Sequence, residues 1–325
     1  MANSGTIRNI NINNIRKVLG ANESISKSDL AKYIGLSFPT VSNTIEYLIK
    51  KNEVIEVGIQ DSLGGRCAKK YSLNPMYALS LSLYLEGFKL CWIVNDFCEN
   101  KIESGSVICK SDILMEIDKV VSLIKSKYHQ LASIMIGVAS NVNDGKIISE
   151  MEYIELQGVD IVKYFKDKYD IPVNIENDMN VAAIGYWERH ENNDIEAVVS
   201  IYMGENGVGS SLVINGKVWG GASNFAGEIH YLPICEDNKI YPICGFRDIN
   251  IVEYYGNIIQ SYIALVNPNL IVLYNNSYIE NKLDEIKNYC KSRVPRIVIP
   301  EIIISNEFRA DYEYGLNSMA NELIS

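Results

Sequence analysis

The stretch ISKSDLAKYIGLSFPTVSNTIEYLIKK, residues 25–51, decides how the first part of this chain folds. It reads as two short helices joined by a corner. In the first, about Ser28 to Ile34, the residues Leu30, Ala31 and Ile34 fall on one helical face. Gly35 ends it, because glycine takes a positive φ just past a helix without steric cost. Leu36 fills the corner. Ser37 is placed to cap a second helix, about Pro39 to Lys51, and Pro39 sits in the first turn, where a missing N–H is harmless. Val41, Ile45, Leu48 and Ile49 make its buried face. Ser37, Thr40, Ser42 and Asn43 lie near its start on the other side. Short polar side chains at a helix N-terminus are what a major-groove reading helix offers to base edges. The same pattern also fits an ordinary helical hairpin with capping serines, so its surroundings matter.

On the N-terminal side, residues 7–20 place Ile10, Ile12, Ile15, Val18 and Leu19 at mainly helical spacing, which predicts a first helix packed across the other two. On the C-terminal side, residues 52–58 and Ala68 to Leu73 read as two strands around the turn Asp61 to Arg66. Three helices followed by a hairpin make a winged helix-turn-helix, here over residues 1–75. The wing tip carries Gly64, Gly65 and Arg66, with Lys69 and Lys70 behind it. An arginine on a flexible tip suits the negative potential of a minor groove. The plain alternative is a turn that uses its glycines for positive φ. The expected DNA contacts are therefore Ser37, Thr40, Ser42, Asn43, Arg66, Lys69 and Lys70, and the expected partner is a double-stranded operator.

The bulk properties agree with such a reader joined to a larger body. The chain has 325 residues, 47% of them hydrophobic, enough for two or three domains with their own cores. No apolar run reaches the roughly 18 residues of a membrane span, and MANSGTIRN lacks a signal peptide's apolar core. The expectation is a cytoplasmic protein without a membrane partner. Seven cysteines (67, 91, 98, 109, 235, 244, 290) are scattered without a CxxC pair, which reads as reduced thiols that mostly fill cores. Net charge is -10, yet residues 1–75 hold ten Lys/Arg against six Asp/Glu, so a +4 segment sits on a -14 remainder. A basic segment on an acidic body suits a nucleic-acid reader.

Residues 76–325 form a second unit. Strands are predicted at Ala78 to Leu85, Lys89 to Asn95, Ser133 to Val138, Val173 to Glu176, Ala197 to Met203, Ser210 to Ile214 and Leu270 to Tyr274. Helices are predicted over 112–130, Val159 to Tyr169 and Met179 to Arg189, and in a stretch capped by Asp248 that runs to about Leu265. This alternation is α/β. No short-period repeat is visible.

Several segments of this unit resemble the ROK family of repressors, uncharacterised reading frames and sugar kinases. Glu176-Asn177-Asp178 with Asn180 and Ala182 resembles the family's END-x-N segment. Gly204 to Gly209, Ile214 to Lys217, Gly221-Ala222-Ser223 and Ala226 to Ile229 resemble the family signature, in order. The segment 35–58, with 64–75, resembles the helix, wing and linker of the repressor branch, and xylose-type repressors in particular. The resemblance implies an actin-like, two-lobed body with a cleft between the lobes. It implies sugar contacts at Asn177, Asp178, Glu228 and Tyr231, with Asp178 at the position of the kinases' general base. Asn177 and Asp178 are also favoured helix-capping types, so a structural role competes at both.

The departures from the family pattern are as informative. The kinases' DxGGT hairpin is Tyr84-Leu85-Glu86-Gly87-Phe88 here, the second phosphate loop is Gly204-Glu205-Asn206, and the late glycine pair is replaced within Tyr274-Asn275-Asn276. Phosphates need backbone amides, small hydroxyls and a metal; bulk and negative charge replace them. ATP is expected not to be used. The GxPG turn is Gly137-Val138-Ala139-Ser140, Tyr231 stands for a zinc- and sugar-binding histidine, and a shifted Glu253 is the only candidate for a further sugar-contacting glutamate. The cysteine-rich zinc loop is Pro242 to Ile249 with one cysteine of three, so no metal is expected, although Cys235, Cys244 and His230 could regroup.

These readings lead to a non-enzymatic, DNA-binding transcriptional regulator, a repressor of carbohydrate-related genes. Its degenerate kinase-like body, with no cofactor, would bind a sugar effector and form a homodimer or homotetramer. Two alternatives stay open: a sugar kinase with an attached DNA-binding module, and a regulator that responds to no ligand.

Overall fold

Helix α1 (Ser4–Gly20), a two-residue strand β1 (Ile25–Ser26), α2 (Lys27–Ile34), α3 (Phe38–Lys50) and strands β2 (Val54–Gln60) and β3 (Ala68–Leu73) make the first unit. This computed structural model describes residues 4–60, 68–109, 112–148, 153–190, 194–204, 207–234 and 250–324. The local signals act as their chemistry dictates. Ser26 caps α2, Gly35 closes it at φ 73°, and Ser37 caps α3 with Pro39 in its first turn. Ile12, Ile15, Leu19, Leu30, Val41, Ile45 and Leu48 share one core with Val54, Tyr71 and Leu73. Ile49 departs from the expected buried face and is 38% exposed. β1 was not expected; it pairs with β3, giving the sheet order β1-β3-β2. The unit is a winged helix-turn-helix. One buried ion pair ties it together: Arg16 of α1 donates through Nε and Nη2 to Glu53 at 2.6 and 3.1 Å, and Glu53 is fully buried.

The body builds one plan twice. Its first lobe runs β4 (Leu79–Glu86), β5 (Lys89–Asn95), β6 (Lys101–Ile108), α4 (Ile113–Lys127), β7 (Leu131–Val138), a small hairpin β8 (Val142–Asn143) and β9 (Lys146–Ile147), α5 (Ile161–Tyr169), β10 (Val173–Asn177) and α6 (Asp178–Arg189). Its second runs β11 (Ala197–Gly204), β12 (Gly207–Ile214), β13 (Lys217–Val218), α7 (Ile251–Leu265), β14 (Leu270–Tyr274), α8 (Leu283–Arg293), β15 (Glu301–Ser305) and α9 (Phe308–Glu322). The sheets are ordered β10-β7-β4-β5-β6 and β15-β14-β11-β12-β13, the same order in chain sequence. In each, the first three strands form an antiparallel meander and the last two run parallel to the first. This is the two-lobed actin-like arrangement.

Each lobe lends its last helix to the other. α6 packs on β11 and β12, α9 packs on β4 and β7, and the two helices cross. Gly185 and Gly315, each the eighth residue of its helix, stand at the crossing. A Cβ on Gly185 would lie 1.8 Å from the Asp311 carbonyl oxygen, and one on Gly315 would lie 2.1 Å from that of Val181. Only glycine permits so close a backbone approach. Separate cores fill the outer side of each lobe, and a third joins them around α6 and α9.

The winged unit sits at the amino ends of the first lobe's parallel strands. Phe97 and Cys98, in the β5–β6 turn, pack into its core; the Phe97 N–H donates to the Pro75 carbonyl at 3.0 Å, and Phe97 meets Tyr77 edge-on at 5.0 Å. Besides the two-residue strands β1, β8, β9 and β13, four longer elements went unpredicted: β6, α8, β15 and α9. The α9 sequence has polar Asp311 and Asn317 buried and a glycine at its centre, so it carries no clean apolar stripe. The expected cap Asp248 lies outside the described residues; Asn250 caps α7, its Oδ1 accepting the Glu253 N–H at 3.3 Å.

Candidate functional site

On the winged unit, Ser37, Phe38, Pro39 and Asn43 are exposed and Thr40 is half-exposed at the start of α3. Ser37 Oγ and Thr40 Oγ1 are 2.8 Å apart. Together these side chains form one polar edge with an exposed phenylalanine (Phe38, 54%), a residue type able to meet a thymine methyl. Ser42 faces the other way: Lys27 Nζ donates to it at 3.0 Å, and it donates to Glu46 at 3.1 Å, binding α2 to α3. On β3, Lys69 is exposed and pairs with Glu56 at 2.8 Å, while Lys70 is half-buried opposite Ser26. Gly64, Gly65 and Arg66 lie outside the described residues.

In the body, the parallel strands of both sheets point their carboxyl ends at the interlobe cleft, the end at which open α/β sheets bind ligands. At the segments that resemble the kinases' nucleotide loops, aromatic side chains pack on one another. Tyr84, at the end of β4, is buried and donates its hydroxyl to Glu313 at 2.8 Å while accepting from Arg309 at 2.9 Å. Tyr84 meets Tyr312 edge-on at 5.3 Å, and Phe308 follows at 5.9 Å from Tyr312. Phe308 then stacks on Tyr202 at 4.3 Å and meets Tyr274 edge-on at 5.1 Å. Tyr274 donates to Asp311 at 2.9 Å, and Asp311 also takes the Arg189 guanidinium. Burial and the neighbouring carboxylates push both the Tyr84 and the Tyr274 phenol well above their ordinary range, so both stay neutral. An unbroken aromatic row thus runs from the first lobe to the second through α9. Glu205 and Asn206 of the second phosphate loop lie outside the described residues.

The sugar half is built differently. Asn177 caps α6: its Oδ1 accepts from the Met179 and Asn180 N–H groups at 2.9 and 3.2 Å, and its Nδ2 donates to the Ser140 carbonyl at 3.2 Å. Most of its hydrogen-bonding capacity is therefore structural. Half-buried Asp178 accepts the Met179 N–H at 2.8 Å. Glu176 accepts from Asn180 at 2.9 Å, and Asn180 accepts from Ser211 of the second lobe at 2.8 Å. Burial raises the Glu176 carboxyl, against those hydrogen bonds. Glu228 lies 3.3 Å from His230 Nδ1, and burial lowers the His230 pKa, which favours its neutral form at pH 7. Tyr231 is 51% exposed and packs on Phe225 at 5.0 Å. The neighbouring Asn224 donates across the cleft mouth to Asn143 at 3.2 Å. The structure therefore brings Asn177 and Asp178 together at the ends of β7 and β10, with Glu228 and Tyr231 on a second-lobe loop.

The remnant of the family's zinc loop, including Cys244, lies outside the described residues, as does Cys235. His230 is turned to Glu228 and Tyr231. One cysteine of three does not make a structural zinc set. Glu253 lies on α7 near Tyr289 and Arg293, not on the cleft. A hollow of about 200 Å³ lined by Tyr186, Trp187, His190, Leu270 and Glu301 lies at the opposite, amino end of the second sheet, and is small for a ligand pocket. Sequence reading missed Tyr312, because α9 itself was missed.

Similarity to known proteins agrees with the fold. The sequence profile of the ROK family matches residues 98–248. The xylose repressor of Bacillus spizizenii is 26% identical over 259 residues, covering 76% of this chain and 66% of the repressor, so the chain spans slightly less than two thirds of that relative. Among solved structures, a ROK family transcriptional regulator homologous to the E. coli MLC protein superposes with a TM-score of 0.74 at 16% identity, covering 98% of both chains. The ROK hexokinase of Thermus thermophilus superposes with a TM-score of 0.56 at 16% identity, over 74% of this chain and 97% of that one. None of the described helices is long and apolar enough to cross a membrane. Taken with the two-lobed body and the attached winged unit, these similarities relate the chain to the ROK family and to the xylose-type repressors.

Proposed function

We propose that the chain is a DNA-binding transcriptional regulator, a repressor of carbohydrate-related genes, whose kinase-like body is not catalytic. The observation that carries this reading is a recognition helix with an exposed polar edge, attached to a body whose nucleotide half is occupied by its own aromatic side chains. Phosphoryl transfer depends on held phosphates and metal ions. Tyr84, Tyr312 and Phe308 occupy that space, so the kinase reading has no seat for its co-substrate. Calorimetric titration with Mg·ATP should give no saturable heat, and tight binding would restore the kinase alternative.

A route for regulation is built in. α6 and α9 begin at the cleft, with Asp178 and Phe308, and end beside the winged unit. There Glu188 of α6 lies within the field of Lys17 of α1, and Asn321 of α9 meets Glu99 beside the Phe97 turn at 3.5 Å. At about 1.5 Å per residue these helices span roughly 18–22 Å. A sugar effector that closes the cleft would shift the two helices and, with them, the winged units of a homodimer or homotetramer on a twofold operator. Linkage then requires sugar and operator to weaken each other by the same factor. The direct test is a gel shift on the promoter beside the protein's own gene. Absence of binding, with and without sugars, refutes the assignment; binding that no sugar alters favours a ligand-independent regulator.

A further inference from the structure

One hollow in the body belongs to neither the cleft nor the winged unit. It opens where α6 ends, between the last turn of that helix and the amino ends of β11, β14 and β15. Val198 pairs with Leu270 and Leu270 with Glu301 across those three strands, so the three side chains share one face of the sheet. Val198 and Leu270 are buried and, with Ile303, give the hollow an apolar floor. Tyr186, Trp187 and His190 form its other wall. The Tyr186 and His190 rings stack at 4.2 Å. A Cβ on Gly216 would lie 3.1 Å from the Trp187 indole nitrogen, so that ring rests against the β12–β13 turn.

The polar groups that line the hollow leave acceptors free. Glu301 is exposed at the rim, and its carboxylate has no partner among the described residues. Tyr186 is 6% exposed, and its hydroxyl has no partner among them either. Burial, then the charges of Asp311 and Glu301, hold this phenol above its ordinary range, so it stays neutral. His190 Nδ1 donates to the Tyr186 carbonyl at 3.0 Å, which leaves Nε2 of the neutral ring as an acceptor. No lysine or arginine is among the described residues that line the hollow. The Arg189 guanidinium, on the same helical turn, is taken by Glu307 and Asp311. Aromatic faces attract a positive charge, oxygen acceptors take its N–H groups, and an apolar floor takes its hydrocarbon. The volume of about 200 Å³ is below the range for drug-sized ligands, yet a cavity of about 150 Å³ already holds a benzene ring.

We propose that this hollow is a binding site for a small organic ammonium ion, one positive charge on an apolar body about the size of a benzene ring. The ammonium group sits between Glu301 and the Tyr186 hydroxyl, and the body lies on Val198, Leu270 and Ile303. The site does not depend on any sugar in the cleft. Its ligand ties the last turn of α6 to the second sheet, at the end of the helix where Glu188 lies within the field of Lys17 of α1.

The test titrates the full chain calorimetrically with three probes of one shape and different charge: benzylammonium, benzyl alcohol and benzoate. Benzylammonium should bind saturably, benzyl alcohol about fivefold more weakly, and benzoate not at all. Glu301→Gln should weaken benzylammonium by about threefold and leave benzyl alcohol unchanged, as suits an exposed carboxylate. Glu301→Lys should abolish the preference for the cation. Glu285→Lys makes the same charge change on α8, which packs on the opposite face of that sheet, and should leave the preference intact. Tyr186→Phe keeps the ring and should weaken benzylammonium by about tenfold. Equal affinity for the three probes overturns the charge assignment, as does a Glu301→Lys chain that still prefers the cation. Wild-type affinity in Tyr186→Phe overturns the phenol contact. Absence of saturable benzylammonium binding to the wild-type chain overturns the site itself.

Discussion

Replacing Gly185 by alanine tests whether the crossing of α6 and α9 holds the two lobes. The new Cβ would lie 1.8 Å from the Asp311 carbonyl oxygen and 2.8 Å from the Gly315 nitrogen, where ordinary contact begins near 3.4 Å. The helices must then part by about 1.6 Å at their closest point, and both obstacles are backbone, which cannot rotate away. Overpacking that side chains can absorb costs about 1–3 kcal/mol, so this contact belongs at or above the upper end. Alanine's better helix propensity returns about 1 kcal/mol. The net destabilisation is about 2–3 kcal/mol, and at roughly 2–4 °C per kcal/mol in a domain of this size the melting temperature should fall by about 5–10 °C. Gly20→Ala is the control. Its Cβ meets only Leu73 Cδ1 at 3.8 Å, and it should leave the melt unchanged within about 2 °C. Differential scanning fluorimetry reads both variants. A Gly185→Ala protein that melts at or above wild type would show that the helices do not meet this closely, and the mechanical link from cleft to winged unit would lose its basis.

Other predictions address the remaining parts. Arg16→Met leaves the fully buried Glu53 uncompensated, so the winged unit should lose about 3–5 kcal/mol and operator binding, while Arg16→Met/Glu53→Leu recovers most of the stability; a neutral single variant in urea melts would contradict the burial of this pair. Glu188 is held above its ordinary value of 4.5 by burial, then by Glu322 and Glu99, against Ser318 and Lys17. A raised carboxyl takes up a proton on folding, so its contribution to stability is lost as pH climbs from 4.5 towards the folded pKa and stays lost above it. Glu188→Gln should accordingly raise the melting temperature at pH 7 and change it little at pH 4; the reverse pattern in a pH series of melts refutes the assignment. Thr40→Ala and Asn43→Ala should each lower operator preference over mismatched DNA by about 1–3 kcal/mol, and Arg66→Ala should weaken wing anchoring. If all three bind operator like wild type in gel shifts, the reading face has been misplaced.

Much of the winged unit is legible in the sequence, because its signals are local. Ser37, Pro39 and Gly35 act through their own backbones, and the burial of Val41, Ile45 and Leu48 follows from a period of 3.6. The degeneration of the nucleotide half was legible in the same way, since Tyr84 to Phe88 differ in chemistry from what phosphates need. α9 was not legible. Its burial comes from contact with a helix 130 residues earlier and with the other lobe's sheet, so its inward face mixes Asp311, Tyr312, Gly315 and Asn317. No single period marks such a face.

The sequence by itself determined the winged unit, the α/β body and the residue types that stand in place of the family's phosphate-binding segments, because each depends on residue type at short spacing. Tertiary structure alone decided four further points. Asn177 is spent as a cap, and Ser42 faces α2. Five aromatic residues from both lobes form one continuous row, and the Tyr312 hydroxyl has no hydrogen-bond partner among the described residues. These depend on which distant surfaces meet, and that is settled only when α6 and α9 cross and bring the two lobes together.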